Sequence, residues 1–226
     1  MTREEFLQAF PERIKNYQPS KQVLERIGNL TLLMTVGPTG VGKTTLMKHL
    51  KLPYVPADVT RPKRPEEIEG VDYHFRSDYV RVIEQIKTGE FVQVAIGPGG
   101  DFYSTIASSY PEGGTAVIAV VADVVPIFRE LGFKKTISTF ITPPSYEEWM
   151  RRMATHPISE EQRVKRLKEA RRSFEFALSD KEVRFILNDD VETAAGQVSK
   201  LLAGQIDGQR EEKARQIAQS LLATLD

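Results

Sequence analysis

The chain is 226 residues long, a length at which one α/β domain with a small inserted lobe buries a full core, and no multi-domain assembly is expected. Hydrophobic residues at 40% and charged residues at 27% exclude wholesale disorder and fibrous repeats. Lys+Arg and Asp+Glu both number 31, so no global basic field exists to hold nucleic acid, and with no cysteine there is neither a disulfide nor a thiolate metal site.

The opening MTREEFLQAF carries acids where a secretory signal has a basic and then an apolar run, and the longest apolar stretch, residues 30–36, is far short of the roughly 20 residues of a membrane span. A cytoplasmic protein without a membrane partner is expected. Thr2 with Glu5 forms a capping-box pattern, and Phe6, Phe10, Ile14 and Tyr17 recur at helical spacing, which predicts short amphipathic helices interrupted at Pro11. Residues 20–27 read as a further helix ended by Gly28. Apolar runs of strand length at 30–36, 116–122, 136–141 and 183–187 alternate with helical patterns at 124–131, 146–153 and 160–178, which predicts a parallel sheet with right-handed crossovers. Between 52 and 110, prolines, short mixed strands and dense charge predict a smaller inserted lobe. Ala214, Ile217, Ala218, Leu221 and Leu225 form one stripe of a C-terminal amphipathic helix after the 204–208 break. The stripe reads first as packing on the core and second as a homodimer contact.

After the first strand comes GPTGVGKTT, in which Gly37, Gly42, Lys43 and Thr44 complete the strand, glycine-rich loop, helix pattern of a P-loop. Glycines allow the φ values that turn successive N–H groups inward, and the helix start adds its positive end, so Gly37, Thr39, Gly40, Val41, Gly42, Lys43, Thr44 and Thr45 are candidates for holding the phosphates of ATP. Lys43 supplies a cation and Thr44 a hydroxyl for Mg²⁺. Asp123, after four small apolar residues, reads equally as a Walker-B-like carboxylate for that metal or as a helix N-cap before Val124.

Residues 60–75 read TRPKRPEEIEGVDYHF, in which Arg61 and Arg64 stand three apart in a proline-braced stretch, so that their forks can converge on one anion. Here the chain resembles the guanylate kinases, whose motif is roughly S-x-T-T-R-x-P-R-x-G-E-x-x-G-x-D-Y-x-F. Thr60, Arg61, Arg64, Glu67, Gly70, Asp72, Tyr73 and Phe75 match it in order. The likeness continues through the GEF at 89–91, Tyr103, FITPPS at 140–145, Arg166-Leu167 and Asn188-Asp189-Asp190.

The resemblance implies a P-loop core whose parallel sheet is flanked by helices, an acceptor-binding lobe at about 53–112 and a small lid at about 154–162. Around a domain spanning 29–204 it leaves an N-terminal helical extension, 1–28, and the C-terminal helix, 205–226. It implies an ATP- and Mg²⁺-dependent nucleoside monophosphate kinase. Arg61, Arg64, Tyr73 and Tyr103 match the ligands of the acceptor's phosphate, Gln93 falls at the base-reading position, and Lys43, Arg152 and Arg166 match residues that stabilise the transferring phosphoryl. Phosphoryl transfer needs such positioning and charge neutralisation more than acid-base chemistry.

The chain departs from the pattern where the family reads guanine: the motif's first serine is Ala57, the glutamate after GEF is Gln93, and the D-x-D aspartates fall on Ala119 and Val121. Unpaired polar groups cost about 1 to 3 kcal/mol each, so a GMP preference is in doubt. In the lid, THPI at 155–158 replaces a glycine-arginine-glycine segment, with His156 where an arginine is expected. Three alternatives follow: ordinary guanylate kinase activity in which the polar groups of Gln93 and Asp123 take over base recognition, a catalytically weak or inactive nucleotide-binding or protein-interaction module of the same fold, and a kinase of a non-nucleotide phosphorylated small molecule.

Overall fold

A computed structural model describes residues 1–65, 67–97, 100–155 and 159–225. The chain forms two compact units, the first made of Met1–Leu32, Pro53–Ala116 and Pro126–Thr136, the second of Leu33–Leu52, Val117–Val125 and residues from Ile137 onward. In chain order the elements are α1 (Arg3–Ile14), α2 (Lys21–Ile27), β1 (Leu30–Val36), α3 (Lys43–Leu50), β2 (Ala57–Val59), β3 (Tyr73–Phe75), α4 (Tyr79–Thr88), β4 (Phe91–Ile96), β5 (Phe102–Ile106) and β6 (Gly114–Ala119). There follow α5 (Val125–Glu130), β7 (Lys135–Thr142), α6 (Tyr146–Met153), α7 (Glu160–Ser179), β8 (Val183–Leu187), α8 (Val191–Leu202) and α9 (Gly208–Ala223), with 3₁₀ turns at Ala107–Ser109 and Ala122–Val124.

The larger sheet has the order β6-β1-β7-β8, and β7 pairs β8 in parallel from Ser138↔Val183 to Thr142↔Leu187. Its strands are nearly continuous apolar runs because helices cover both faces. In the second unit Phe140, Trp149, Phe174 and Phe185 are fully or almost fully buried and meet ring to ring at 5.2 to 5.6 Å. The buried face of α9, Ala214, Ala218 and Leu221, is covered within the chain, and Arg215 lies 4.3 Å over the Phe185 ring. The apolar run at 116–122 leaves the ladder earlier than its composition predicts. Val120 N–H gives a last bond to the Thr35 carbonyl, 3.1 Å, after which Val121 is exposed and the chain turns into a 3₁₀ segment.

The first unit holds the smaller sheet, β3-β2-β5-β4, in which β2 pairs β3 in parallel and β5 antiparallel. The register Ala57↔Tyr73, Val59↔Tyr103, Ala95↔Tyr103 and Gln93↔Thr105 puts these residues on one face, and Asp58, His74, Val94 and Ser104 on the other. Asp58 is fully buried. It accepts from Arg76 Nη1 and from the Ile106 N–H, both at 3.0 Å, and Arg76 also donates to Gln85. Burial pushes the Asp58 pKa up, and the Arg76 charge opposes that rise.

Helix α1 runs unbroken through Pro11, where the sequence predicts an interruption. A proline there cannot donate to the Leu7 carbonyl and its ring crowds it, at about 3 kcal/mol. Phe6 and Phe10 are fully buried against Val82, Ile83, Ile86, Phe91 and Phe102, with Ile14 packed on the same cluster. At about 1.5 to 3 kcal/mol per buried side chain this outweighs the proline, so packing decides the helix. We predict that Pro11→Ala raises the unfolding free energy in urea by about 1 to 2 kcal/mol, the helix-interior penalty less the unfolded-state entropy that proline removes. Unchanged stability would show that the ring is accommodated without strain.

Candidate active site

The loop between β1 and α3 is built by its backbone. Gly37, Gly40 and Gly42 take φ of 146°, 86° and 93°, and α3 begins at Lys43 with no side-chain cap. The first amide of this turn with an intrahelical partner is that of Leu46, bonded to the Gly42 carbonyl at 3.0 Å. The amides of Lys43, Thr44 and Thr45 are therefore the opening donors of the helix, at its positive end. The loop carbonyls are taken up from elsewhere in the same unit. Trp149 Nε1 of α6 donates to the Thr39 carbonyl at 2.9 Å, and Asn188 Nδ2, just after β8, donates to the Val41 carbonyl at 2.7 Å. Neighbouring peptides turned this way present their N–H groups together as a nest for anions.

Lys43 Nζ donates to the carbonyls of Gly37 at 2.5 Å and Pro38 at 2.9 Å, so its ammonium sits across the mouth of the loop. Burial pushes its pKa down to about 8. Thr44 is exposed at the second position of α3, where its hydroxyl suits a Mg²⁺ that also takes phosphate oxygens and water. Among the described residues no group of three or more His, Asp or Glu side chains is arranged to hold a metal by itself. Asp123 is exposed inside the 3₁₀ turn after β6. It is not an N-cap, since the cap position is Val121 and no side chain bonds there.

Arg152 is brought to the same loop. Its Nε bonds Glu148 at 2.7 Å and its Nη1 donates to the Asn188 carbonyl at 3.1 Å. A Cβ at Gly42 would lie 3.8 Å from Arg152 Nη1 and would overlap the Asn188 amide, so only glycine permits this approach. Hydrogen bonds from Arg151 and Arg152 hold the Glu148 carboxyl down at about 2. Asn188 is braced in turn by α9, whose Arg210 Nη2 donates to the Leu187 carbonyl at 3.1 Å and to Asp189 at 2.6 Å. Arg166 is half-buried on α7, which starts with a Ser159–Gln162 capping box. His156 and its neighbours at 157–158, the altered part of the lid segment, lie outside the described residues.

In the first unit, Arg61, Arg64, Tyr73 and Tyr103 are brought together. Arg61 grips the Glu67 carboxylate with both terminal nitrogens, at 2.7 and 2.5 Å, and its Nε donates to the Tyr103 hydroxyl at 3.2 Å. Its guanidinium lies 4.8 Å over the Tyr73 ring and 5.6 Å over that of Phe75. Arg64 Nη1 is 3.9 Å from Glu67 and its backbone N–H donates to the same carboxylate at 2.9 Å. The pair thus converges on one anion, and that anion is Glu67. Burial would lower the Arg61 pKa, but the bonds to Glu67 and Tyr103 carry it above its usual value, so the cation is permanent. For Glu67, burial is likewise outweighed by Arg61 and the Arg64 amide, and its pKa is lowered.

Gln93 lies on the same sheet face, 6% exposed, and among the described residues nothing is hydrogen-bonded to its side-chain amide. Thr105 beside it shares a 2.8 Å bond with the buried Tyr110 hydroxyl. Gly97 lacks the Cβ that would overlap the Tyr103 ring. Sequence reasoning missed Trp149 and Asn188 as clamps on the loop and Glu67 as the partner of Arg61. Only the place of Asn188 and Glu67 inside matched motifs marked those two, and nothing marked Trp149.

A family model described as guanylate kinase matches residues 29–205. A guanylate kinase of Nostoc sp. is 33% identical over 185 residues, covering 76% of this chain and 89% of that protein. One of Frankia casuarinae is 31% identical, covering 76% of this chain and 97% of its own. Among solved structures, the guanylate kinase of Anaplasma phagocytophilum aligns with a TM-score of 0.53 and 24% identity over 88% of this chain and 97% of that one, a likeness of fold. With the phosphate loop and the arginine cluster in place, the chain belongs to the guanylate kinase family and is a phosphotransferase of the nucleoside monophosphate kinase class.

Proposed function

We propose that the protein transfers the γ-phosphoryl group of ATP to the phosphate of a nucleoside monophosphate, and that it does so without a strong demand for guanine. The observation that supports the transfer best is the loop whose carbonyls are held by Trp149, Asn188 and two of the Lys43 N–H groups, leaving its amides and the third Lys43 N–H for phosphate. An oxygen of the acceptor's phosphate attacks the γ-phosphorus, the bond to the bridging β–γ oxygen breaks, and that oxygen's charge leaves on ADP. Lys43 and Arg152 neutralise charge on the transferring group, and Arg166 is assigned the same role from its matched position. The exposed Thr44 hydroxyl would help hold a Mg²⁺, which would supply further neutralisation of charge on the transferring group. Arg61, Arg64, Tyr73 and Tyr103 hold the acceptor's phosphate, which takes up the Arg64 fork and the last free N–H of Arg61.

The acceptor's base is assigned to the amide of Gln93, a residue 6% exposed. A carboxylate at this position takes both the N1–H and the N2 amine of guanine, whereas an amide offers one acceptor beside a donor. That pattern fits the O6 and N1–H edge shared by guanine and hypoxanthine and ignores the amine that separates them. Ala57 presents only a methyl group on the same face. GMP and IMP are therefore expected to give kcat/KM values within about tenfold of each other, since no paired group distinguishes them. Gln93→Glu should raise the GMP to IMP ratio by about 10- to 100-fold, the worth of one paired hydrogen bond. A wild-type preference for GMP beyond a hundredfold would place base recognition elsewhere.

ADP release from ATP and Mg²⁺ over a panel of nucleoside monophosphates tests the reaction, with Lys43→Ala as the blank. Turnover on none of them, with ATP still bound, would instead favour a nucleotide-binding module. Trp149, the sole tryptophan and a direct contact of the loop, serves as a fluorescence probe of nucleotide binding. The bound phosphates favour the protonated lysine and so raise its pKa above the free protein's value of about 8. Affinity should accordingly be level between pH 7 and 8 and then fall by up to tenfold per pH unit as Lys43 of the free protein loses its proton. In Lys43→Met that slope should vanish and affinity should be low throughout. A wild-type affinity flat to pH 10 would contradict the assignment of Lys43 to the phosphates.

A further inference from the structure

We propose that Arg3, on the N-terminal helix and outside the matched residues 29–205, is a positioning residue for the acceptor's phosphate. The inference rests on the reading of Arg61 and Tyr103 as phosphate ligands, and adds to it the part of the chain that holds them. Arg61 and Tyr103 belong to two different segments, the end of β2 and the start of β5, and touch through a single 3.2 Å hydrogen bond. What fixes their spacing is one residue back in each segment. Thr60 and Phe102 are tied by two bonds, Thr60 N–H to the Phe102 carbonyl at 3.2 Å and Phe102 N–H to the Thr60 hydroxyl at 3.0 Å.

Helix α1 closes on this junction from outside both strands. Arg3 Nε donates to the Thr60 carbonyl at 3.2 Å, and its Nη2 bonds Asp101 Oδ1 at 2.5 Å. The same carboxylate oxygen is 3.4 Å from the Thr60 hydroxyl. One planar fork therefore bridges the residue before Arg61 to the residue two before Tyr103, a geometry that a single ammonium cannot reproduce. Three and seven residues along the helix from Arg3, Phe6 and Phe10 meet the Phe102 ring edge-on at 5.9 and 5.6 Å, so α1 holds position 101 by charge and position 102 by packing. The Asp101 side chain is 11% exposed and that of Arg3 41%, so the bond is shielded on the side of the strand while the arginine remains open to solvent.

Such a half-exposed pair contributes little to global stability, but loosening two ligands relative to each other raises the cost of binding a small rigid anion. Arg3→Ala is therefore expected to raise the KM for GMP, and its Kd measured by calorimetry, about tenfold. The same variant should keep kcat within twofold, ATP affinity read by Trp149 fluorescence unchanged, and Tm lower by about 3 °C or less. Arg3→Lys should recover the contact with Asp101 but not that with Thr60, giving an intermediate acceptor affinity. Asp101→Asn should weaken acceptor binding as Arg3→Ala does, with no further loss in the double variant.

Wild-type acceptor affinity in Arg3→Ala would overturn the proposal, as would a parallel loss of ATP affinity and Tm, which would mark general unfolding. Arg61→Ala separates this from the reading beneath it. If Arg61→Ala weakens acceptor binding and Arg3→Ala does not, the proposal alone fails; if Arg61→Ala has no effect, the acceptor site is wrongly placed and both fail.

Discussion

The orientation of a few peptide groups between residues 37 and 45 is the constraint on which the nucleotide chemistry of this protein depends. A glycine-rich loop can turn its carbonyls or its amides toward a ligand, and only the second choice binds phosphate. Here the choice is made by Trp149 and Asn188, which take the Thr39 and Val41 carbonyls, and by Lys43, which takes those of Gly37 and Pro38. These groups come from α6, the end of β8 and the loop's own helix. The parallel sheet and its helices are thus the means by which residues more than a hundred positions apart fix the polarity of one short loop.

Charge in the first unit is handled by pairing rather than by exposure. Asp58 is buried whole and tolerated because Arg76 and a strand amide meet it; removing one member of such a pair typically costs about 3 to 5 kcal/mol, far more than the pair itself contributes. Arg61 is partly buried beside Glu67 and two aromatic rings, which keeps a permanent cation in place before any ligand arrives. The two carboxylates couple to pH with opposite signs. The Glu67 pKa is lowered by folding, so its contribution is present above the unfolded value and lost as pH falls. The Asp58 pKa is raised, so its contribution is fully present below the unfolded value and declines as pH rises through the folded one.

The terminal helices are not neutral additions to the family's core. Helix α1 carries Phe6 and Phe10 into the small sheet's core, and α9 covers β8 with Ala214, Ala218 and Leu221. Each also places one arginine on backbone next to a candidate site residue: Arg3 on Thr60, before Arg61, and Arg210 on Leu187, before Asn188. Arginine suits this use because its fork reaches a carbonyl and a carboxylate at once.

The sequence alone determined the elements whose signals are local. The β1–loop–α3 unit was legible from an apolar run followed by glycines at fixed offsets, α6 and α7 from their helical period, and the acceptor segment from its spaced arginines and tyrosines. It also carried the departures from the guanylate kinase motif at Ala57 and Gln93, because identity at a position needs no coordinates. What only the tertiary structure decided are the contacts between distant segments. Pro11 remains helical because Phe6, Phe10 and Ile14 are buried around it, which no propensity predicts. The run at 116–122 ends as strand at Ala119, with a last bond from Val120 to the Thr35 carbonyl, not where its hydrophobicity ends. Arg61 and Arg64 converge as their spacing suggests, yet on Glu67, and Trp149 turns out to hold the phosphate loop. Spacing along a chain fixes what one helix or one turn can present, whereas the partner of a buried hydrogen bond is settled only when the fold brings the two groups within about 3 Å.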